Sequence, residues 1–237
     1  MNKPYVICHM LTSVNGKIDG DFMSVPECAE AFAEYGNLRK VFNCSATLYG
    51  TTTMLGGYSD GLAKNIPCCE KKIPREDHQA PNDIKNYIVS VDPKGTLGFN
   101  SGYIEKKNRP KAHVIEVLLE TVSDDYLSYL QNNGVSYIFA GKDNLNCCLM
   151  LEKLYKLFGI ERLLAAGGGL MNWSLVQDNL VDELSIVIAP AADGNSAAAS
   201  IFEKADFLPV REPAVFKIKD VRKIGDTVHL MYTLRKN

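Results

Sequence analysis

The sequence predicts an α/β fold with a mostly parallel central sheet, helices on both faces and a C-terminal antiparallel hairpin. Short apolar, β-branched segments of strand length alternate with longer segments of helical periodicity, a pattern typical of parallel sheets. At the end of the chain, two alternating segments flank a Gly-Asp turn and predict the hairpin. The 237 residues are 46% apolar, enough for one large core, so we expect a single domain over residues 1–237.

The first quarter of the chain predicts a strand, a helix and a second strand. Residues 5–11 are apolar throughout, which is typical of a strand buried on both faces. Ser24 and Pro26 indicate the start of a helix that ends near residue 42. Its predicted apolar face consists of Ala29, Phe32, Ala33, Leu38 and Phe42. A strand at 46–50 follows.

A long irregular segment rich in Gly, Pro, Lys and Asn then extends from Leu55 to about Asp83. Connectors of this length usually cover a site or make contacts. Beyond it the predicted strands are 86–91, 112–118, 135–140, 160–166 and 181–189. Three helices are predicted in this part of the chain. The first is capped by Ser123 and ends at Asn133-Gly134, and the other two span 145–158 and 170–176. The terminal hairpin pairs 215–221 with 228–234 around Gly225-Asp226.

Charge and composition disfavour several functional classes. The formal net charge is -2 and the lysines and arginines are scattered singly, so we expect no nucleic-acid partner. The start of the chain does not resemble a secretion signal and no apolar run reaches bilayer length, so we expect a cytoplasmic protein without a membrane partner. The seven cysteines lack zinc-site spacing, and we expect no metal.

Three predicted strands are followed by glycine-bearing turns, at the edge of a parallel sheet where ligands bind. These turns begin with Gly50-Thr51-Thr52-Thr53, with Gly141, and with Gly167-Gly168-Gly169. Glycine allows a phosphate to approach the backbone, and the next helix start supplies N–H donors. The turns therefore predict a pyrophosphate site, although a tight turn alone would also explain each glycine. The G-x-G-x-x-G dinucleotide fingerprint is absent.

Two basic residues are further candidates for the site. Lys17, in the Asn15-Gly16-Lys17 turn after the first strand, could hold a substrate phosphate or position a reacting heterocycle. A solvated loop lysine is the alternative. Arg39 lies late in the first helix, where a basic residue also suits the helix dipole.

These motifs together resemble the reductase domain of bifunctional riboflavin-biosynthesis proteins, a family similar in fold to dihydrofolate reductase. The resemblance covers nearly the whole chain. It rests on Asn15-Gly16-Lys17-Ile18, Leu38-Arg39, Leu48 to Thr53, Gly167 to Trp173, and Leu180 to Leu184 with Ile188-Ala189-Pro190.

The resemblance implies NADPH as the hydride donor, a homodimer, and reduction of the ribose of a phosphoribosylamino-pyrimidinone to a ribityl chain. The implied cofactor contacts are Gly50, Thr51, Thr52, Thr53, Gly167, Gly168, Gly169, Leu170 and Met171, and Gly141 is a further cofactor candidate from its turn alone. Asn15, Lys17 and Arg39 would face the substrate, with Lys17 as the polarising or proton-linked residue. Ser90, Lys94 and Lys142 are candidates for the 2′-phosphate of NADPH, which needs a basic or hydroxyl-rich pocket.

Three departures from the family pattern lie on the substrate side. Asn15 replaces the usual aspartate, Ala165-Ala166 stands where a glutamate usually precedes the glycines, and Leu55 to Asp60 replaces an Asp-Asp-Pro segment with its phosphate-binding arginine. Two alternatives therefore remain open. One is a dihydrofolate-reductase-like enzyme acting on another pterin, pyrimidine or carbonyl, and the other is a non-catalytic nucleotide-binding protein.

Overall fold

A computed structural model describes residues 2–107, 109–206, 208–209 and 211–235. Contacts divide the chain into two units, which are described separately. The first unit contains residues 1–4 and 45–161, and the second contains residues 5–44 and 162–237. One domain over the whole chain stays a prediction.

The strands, in chain order, are β1 Tyr5–Thr12, β2 Ala46–Gly50, β3 Tyr87–Val91, β4 Tyr103–Ile104, β5 Ala112–Leu118, β6 Ser136–Phe139, β7 Arg162–Ala165, β8 Glu183–Ile188, β9 Phe216–Ile224 and β10 Thr227–Leu234. The α-helices are α1 Ala29–Phe42, α2 Thr51–Leu55, α3 Asp124–Asn132, α4 Cys147–Phe158 and α5 Gly169–Gln177. Two 3-10 turns, Asp21–Ser24 and Pro26–Cys28, precede α1.

The sheet of the first unit is almost entirely parallel. β3 lies between β2 and β5, and β6 continues the parallel order beyond β5. The two-residue β4, which the sequence did not predict, pairs antiparallel with the start of β5. β3 and β5 are rich in valine and isoleucine and are buried along their whole length, and β2 is mostly buried, as expected for strands covered on both faces.

In the second unit, β1 lies between β7 and β8 and is parallel to both. β10 pairs antiparallel with β8, and β9 pairs with β10 through the turn at Gly225, whose φ is 53°. α1 packs against β1, β8 and β10 on one face of the sheet. On the other face, Trp173 of α5 is the first in a series of aromatic ring contacts that reaches β9 and β10. The predicted mostly parallel α/β fold with its C-terminal hairpin is confirmed.

Local signals fixed the ends of two helices. The Ser123 hydroxyl accepts from the Tyr126 N–H at the start of α3, and the Asn146 side chain accepts from the Leu149 N–H at the start of α4. α4 ends at Gly159 in the left-handed conformation, with φ 63°. Gly134, just after α3, also has a positive φ, as the Asn-Gly signal indicated.

The start and the apolar face of α1 differ from the prediction. Ser24 ends the first 3-10 turn, Pro26 begins the second, and α1 itself begins at Ala29. Leu38 and Phe42 are buried as expected, but Ala29 and Ala33 are exposed, and Ala31 is buried in their place. The turns change the register in which the helix meets the sheet, a tertiary effect that helical spacing does not contain.

The long segment after α2 contains no named helix or strand as far as Asn86, as predicted, but hydrogen bonds hold it to the first unit. Arg75 donates to the Glu120 and Val122 carbonyls and pairs with Asp124 at 2.5 Å. Asp77 accepts from the Phe139 N–H and from Lys153. The segment therefore makes contacts with α3, α4 and β6, one of the two roles expected for it.

Within the described ranges, none of the helices has both the length and the apolar character needed to cross a membrane.

Candidate active site

The second unit brings three loops to the same edge of its sheet. Because β7, β1 and β8 are parallel neighbours, the residues after Ala165, Thr12 and Ile188 emerge side by side. The β1 loop carries Asn15 and Lys17, the β7 loop carries the glycine run, and the β8 loop is the long segment up to β9. These loops occupy the position where parallel sheets bind ligands.

Asn15 ties the β1 loop to the β8 loop. Its Nδ2 donates to the Asp193 carbonyl at 2.7 Å, and its Oδ1 accepts from the Asp193 N–H at 3.1 Å. The same Oδ1 accepts from the Ser13 hydroxyl at 2.8 Å. An aspartate at this position could not donate to the Asp193 carbonyl, so the amide explains how the loop is closed here.

Lys17 is half-buried and its ammonium lies among oxygens of the β8 loop. Nζ donates to the Ala198 carbonyl at 2.7 Å, and Lys17 forms an isolated bridge with Ser200. Hydrogen bonds from Asn195 and Ser200, with smaller contributions from the Lys17 charge, lower the pKa values of Asp193 and Glu203. Lys17 is therefore a positioned cation rather than a solvated side chain.

Sequence reasoning missed Asp193 and Glu203. Asp193 is buried against Gly20, where φ is 128° and a Cβ would collide with the Asp193 carboxylate. Its Oδ2 is buried and has no partner of regular geometry among the described residues. No local sequence pattern indicated the contact of Asp193 with Asn15, 178 residues away.

The glycine run begins α5. Gly168 has φ 77°, and no side chain caps the helix, so the first N–H groups of α5 have no side-chain acceptor at the cap. A steric requirement explains the glycine at 169, because a Cβ there would lie 2.5 Å from the Ser200 carbonyl oxygen. Ser200 thus contacts both the first residue of α5 and Lys17, which brings two predicted site elements together.

Arg39 is not brought to this edge. Its Nη1 donates to the Tyr35 hydroxyl at 3.4 Å, and Tyr35 stacks on His9 in the middle of β1. α1 continues past that point toward the amino end of β7, where Arg162 donates to the Phe42 carbonyl. Arg39 therefore lies roughly 15 Å from the carboxyl end of β1 along the strand direction. This position does not suit the substrate contact that the resemblance implied.

In the first unit, the Gly50 to Thr53 turn follows β2 directly and begins the short helix α2. The Thr51 hydroxyl donates to the Val91 carbonyl at 2.9 Å, which fastens the turn to the end of β3. Thr52 is exposed and Thr53 is half-buried. The hydroxyl hydrogen of Thr51 is thus used within the fold.

The other two first-unit candidates have structural explanations. Ser90 has no exposed surface and is the register partner of Glu116, so contact with a cofactor phosphate is disfavoured. Gly141 has φ 129°, and a Cβ there would collide with the Asn144 carbonyl. Gly141 also lies three strands from Gly50, roughly 14 Å away at ordinary strand spacing.

Among the residues that the structure describes, no group of three or more His, Cys, Asp or Glu side chains could hold a metal ion. A small polar cavity between Gln79–Lys85 and the end of α4 opens beside Tyr87, the first residue of β3. It lies at the amino end of a parallel strand, opposite to the edge where the candidate residues lie.

The chain matches known proteins over almost its entire length. The profile of the RibD C-terminal domain family matches residues 4–230. A protein of Methanothermobacter thermautotrophicus named 2,5-diamino-6-ribosylamino-4(3H)-pyrimidinone 5′-phosphate reductase is 29% identical over 237 residues, covering 98% of this chain and 99% of that protein. A protein of Archaeoglobus fulgidus with the same name is 24% identical and covers 94% and 95%.

Solved structures show the same fold. A pyrimidine reductase-like protein of Corynebacterium diphtheriae aligns with a TM-score of 0.69 at 15% identity, covering 100% of this chain and 94% of that chain. The yeast riboflavin biosynthesis reductase Rib7 aligns with a TM-score of 0.62 at 16% identity, covering 99% and 91%. Acinetobacter baumannii RibD aligns with a TM-score of 0.62 at 18% identity, and this chain spans 59% of it.

The fold, the order of its motifs and the match over residues 4–230 confirm the predicted family, whose named relatives are reductases of riboflavin biosynthesis: the chain belongs to the RibD C-terminal domain family.

Proposed function

We propose that this protein uses NADPH to reduce the ribose of a ribosylaminopyrimidine 5′-phosphate to a ribityl chain. One observation carries the proposal: Ser200 contacts both Lys17 and the first residue of α5. An ammonium ion and an uncapped helix start therefore flank the same loop at the carboxyl edge of the sheet. This arrangement suits an anionic cofactor beside a polar substrate.

The residues present fit a nicotinamide dinucleotide. Gly168 bears no side chain and its positive φ turns the backbone into α5, so the first N–H groups of the helix could receive a phosphate. When bound, the cofactor supplies a hydride to the sugar carbon. The chain must then supply polarisation or a proton for the oxygen that the reduction releases.

Lys17 is the residue we assign to that role. Its Nζ is held by the Ala198 carbonyl, and its charge is balanced by the nearby carboxylates Asp193 and Glu203. The hydrogen bond to the Ala198 carbonyl orients an ammonium that would otherwise be mobile. Asn15 and Asp193 act on the reaction indirectly, because their mutual hydrogen bonds shape the loop that carries Lys17.

The names of the relatives favour the 2,5-diamino pyrimidinone as the substrate, because both full-length relatives carry that name. The deaminated compound, 5-amino-6-(5-phosphoribosylamino)uracil, is the second candidate. It appears in the name of a bifunctional Thermotoga maritima protein of which this chain spans 57%. The two compounds differ at the base, so parallel assays separate them.

A lysine pair tests the role of Lys17. Lys17→Ala should lower kcat by about 100-fold or more while leaving the Kd of NADPH within about three-fold, since general acid catalysis typically contributes that much. Lys40→Ala, an exposed lysine at the end of α1, should leave both values unchanged. Equal loss in both variants, or no loss in Lys17→Ala, would remove Lys17 from the mechanism.

We further propose that the protein is a homodimer that works in the cytoplasm. An apolar surface covers one face of β8, β10 and β9, and it includes Ile218 and Val221, which are 53% and 54% exposed. The half-buried remainder of that surface consists of Ile186, Ile188, Val228, Leu230 and Tyr232. A second copy would cover it. All seven cysteines are free, as in a reducing compartment.

Light scattering after size exclusion tests the dimer. Val221→Asp should convert a dimer to a monomer, because a desolvated charge would face the partner. Lys217→Asp, on the opposite face of β9, is the matched control and should leave the mass unchanged. A wild-type monomer would contradict the dimer without touching the proposed reaction.

A further inference from the structure

Two tyrosines of the first unit form a platform beside the Gly50 turn. The rings of Tyr49 and Tyr58 stack with their centroids 4.4 Å apart and an interplanar angle of 28°. The Tyr49 hydroxyl donates to the Tyr58 hydroxyl at 3.0 Å. Tyr49 is the residue immediately before Gly50, so the platform is joined directly to the predicted phosphate turn.

Two cations lie on this platform. Arg109 donates from Nη1 to the Tyr49 hydroxyl at 3.1 Å and to the Tyr58 hydroxyl at 2.5 Å. The Arg109 guanidinium carbon and Lys106 Nζ are each 5.7 Å from the centre of the Tyr58 ring. Both side chains are otherwise exposed to solvent. Two positive charges thus lie within about 6 Å of the centre of one aromatic ring.

The positive charges on the platform lack a local counter-ion. Glu105, the carboxylate of the 103–111 segment, pairs instead with Lys111 at 3.6 Å. No salt bridge joins Arg109 or Lys106 to a carboxylate among the described residues. Two like charges beside the same ring repel each other. A bound anion would reduce this electrostatic repulsion.

We infer that Arg109 and Lys106, held on the Tyr49 and Tyr58 platform, bind a phosphomonoester dianion. Arginine presents a planar fork that matches phosphate oxygens, and lysine adds a second point charge. The fold uses a single guanidinium nitrogen to fix the Arg109 side chain, an arrangement that pre-organises the group before an anion arrives.

This inference rests on the proposed function, which contains two phosphomonoesters. One is the 2′-phosphate of NADPH and the other is the 5′-phosphate of the substrate. Both present the same dianionic group, so the site chemistry is shared and the source must be separated by experiment.

The test uses two pairs of probes on the full chain, adenosine 2′,5′-bisphosphate against 5′-AMP and ribose 5-phosphate against ribose, each titrated by calorimetry. Arg109→Gln and Lys106→Gln are the variants. Lys107→Gln, an exposed neighbour that makes none of the platform contacts described above, is the matched control. Circular dichroism confirms that each variant folds.

We expect Arg109→Gln to raise the Kd of one phosphorylated probe by about ten-fold, or ~1.4 kcal/mol. Lys106→Gln should raise it by less, and Lys107→Gln should leave it unchanged. Loss confined to adenosine 2′,5′-bisphosphate assigns the site to the cofactor, and loss confined to ribose 5-phosphate assigns it to the substrate. If wild type binds a phosphorylated probe and both variants bind it equally well, the site is wrong. If wild type binds none of the probes, both the site and the proposed function are contradicted, whereas turnover with unchanged probe affinities contradicts the site alone.

Discussion

A buried hydrogen-bond series in the second unit and a buried carboxyl in the first unit differ in how their polar atoms are paired. In the second unit, a buried series of hydrogen bonds, here called the histidine chain, joins the Tyr35 carbonyl, His9, Ser185, His229 and Arg222. In the first unit, Glu116 and Ser90 are buried, and neither Glu116 oxygen nor the Ser90 hydroxyl has a partner of regular geometry among the described residues. A buried polar group that is paired stabilises the fold, whereas an unpaired one costs free energy.

The donor and the acceptor of each hydrogen bond in the histidine chain can be assigned. The Tyr35 carbonyl can only accept, so His9 donates from Nε2 at 3.0 Å and its Nδ1 accepts from the Ser185 hydroxyl at 2.9 Å. Arg222 can only donate, so His229 accepts at Nδ1 and donates from Nε2 to Ser185. Each ring therefore has one tautomer and is neutral. Burial keeps both rings neutral, because it lowers the pKa of His9 to about 3 and that of His229 to about 4.

Glu116 of the first unit, in contrast to the histidines, is a buried ionisable group whose oxygens have no partner of regular geometry among the described residues. It is fully buried in the middle of β5, and burial, with a further contribution from the Asp92 charge, raises its pKa well above the ordinary value. The Ser90 hydroxyl opposes that shift. The histidine chain should therefore contribute less stability in acid, whereas the buried Glu116 carboxyl should destabilise the first unit increasingly as the pH rises. Three predictions test this difference, in order of expected effect.

Ser185→Ala should have the largest effect. It removes the hydroxyl between two buried rings and leaves His9 Nδ1 and His229 Nε2 unpaired. The free energy of unfolding should fall by about 2–4 kcal/mol, the usual cost of two unsatisfied buried groups. Urea unfolding measures it, and Ser24→Ala on the exposed 3-10 turn is the control. A loss as small as that of the control would mean that the chain does not stabilise the fold.

His229→Gln should flatten the acid dependence of stability. The folded pKa of His229, about 4, lies below the unfolded value of 6.5, so the unfolded state binds more protons between these limits. Stability is fully present above pH 6.5 and falls with decreasing pH, by up to about 1.4 kcal/mol per pH unit for one such histidine. Glutamine keeps one donor and one acceptor but does not titrate. Unfolding curves between pH 4 and 7 with an unchanged slope in the variant would contradict a neutral His229.

Glu116→Gln should give the smallest change, and of opposite sign. The folded pKa lies above the unfolded one, so the folded state binds more protons and stability falls as pH rises above 4.5. Removing the ionisable group should raise the free energy of unfolding by about 1–2 kcal/mol at pH 8. The difference should shrink toward pH 5. The exposed Glu120→Gln is the control, and a destabilised Glu116→Gln would show that the carboxylate has a partner.

Local signals predicted the parts of the fold that are determined locally. Gly225-Asp226 fixed the hairpin and Ser123 fixed the start of α3, because turn and cap chemistry act over a few residues. The apolar face of α1 was misplaced, since the 3-10 turns before it set its register. The two-residue β4 was missed because its pairing with β5 carries no periodic pattern.

The candidate site was predicted less completely, because its contacts join distant residues. The glycine run and Lys17 were proposed from turn composition, whereas Asp193 and Glu203 lie between the predicted strand 181–189 and the hairpin, where no site residue was predicted. Ser90 was chosen for its place near a strand end, and strand alternation directed it inward toward Glu116. The Arg109 platform was missed although Lys106 and Arg109 are close in sequence, because Tyr49 and Tyr58, which hold them, meet them only through folding.

The most direct test of the proposed reaction is NADPH oxidation by the purified protein in the presence of each pyrimidine 5′-phosphate. We predict oxidation that depends on the 2,5-diamino compound, with the ribityl product formed in equal amount to NADP⁺. Oxidation of NADPH with neither compound, despite tight binding of the cofactor, would contradict the proposed substrate class and leave the family and its fold in place.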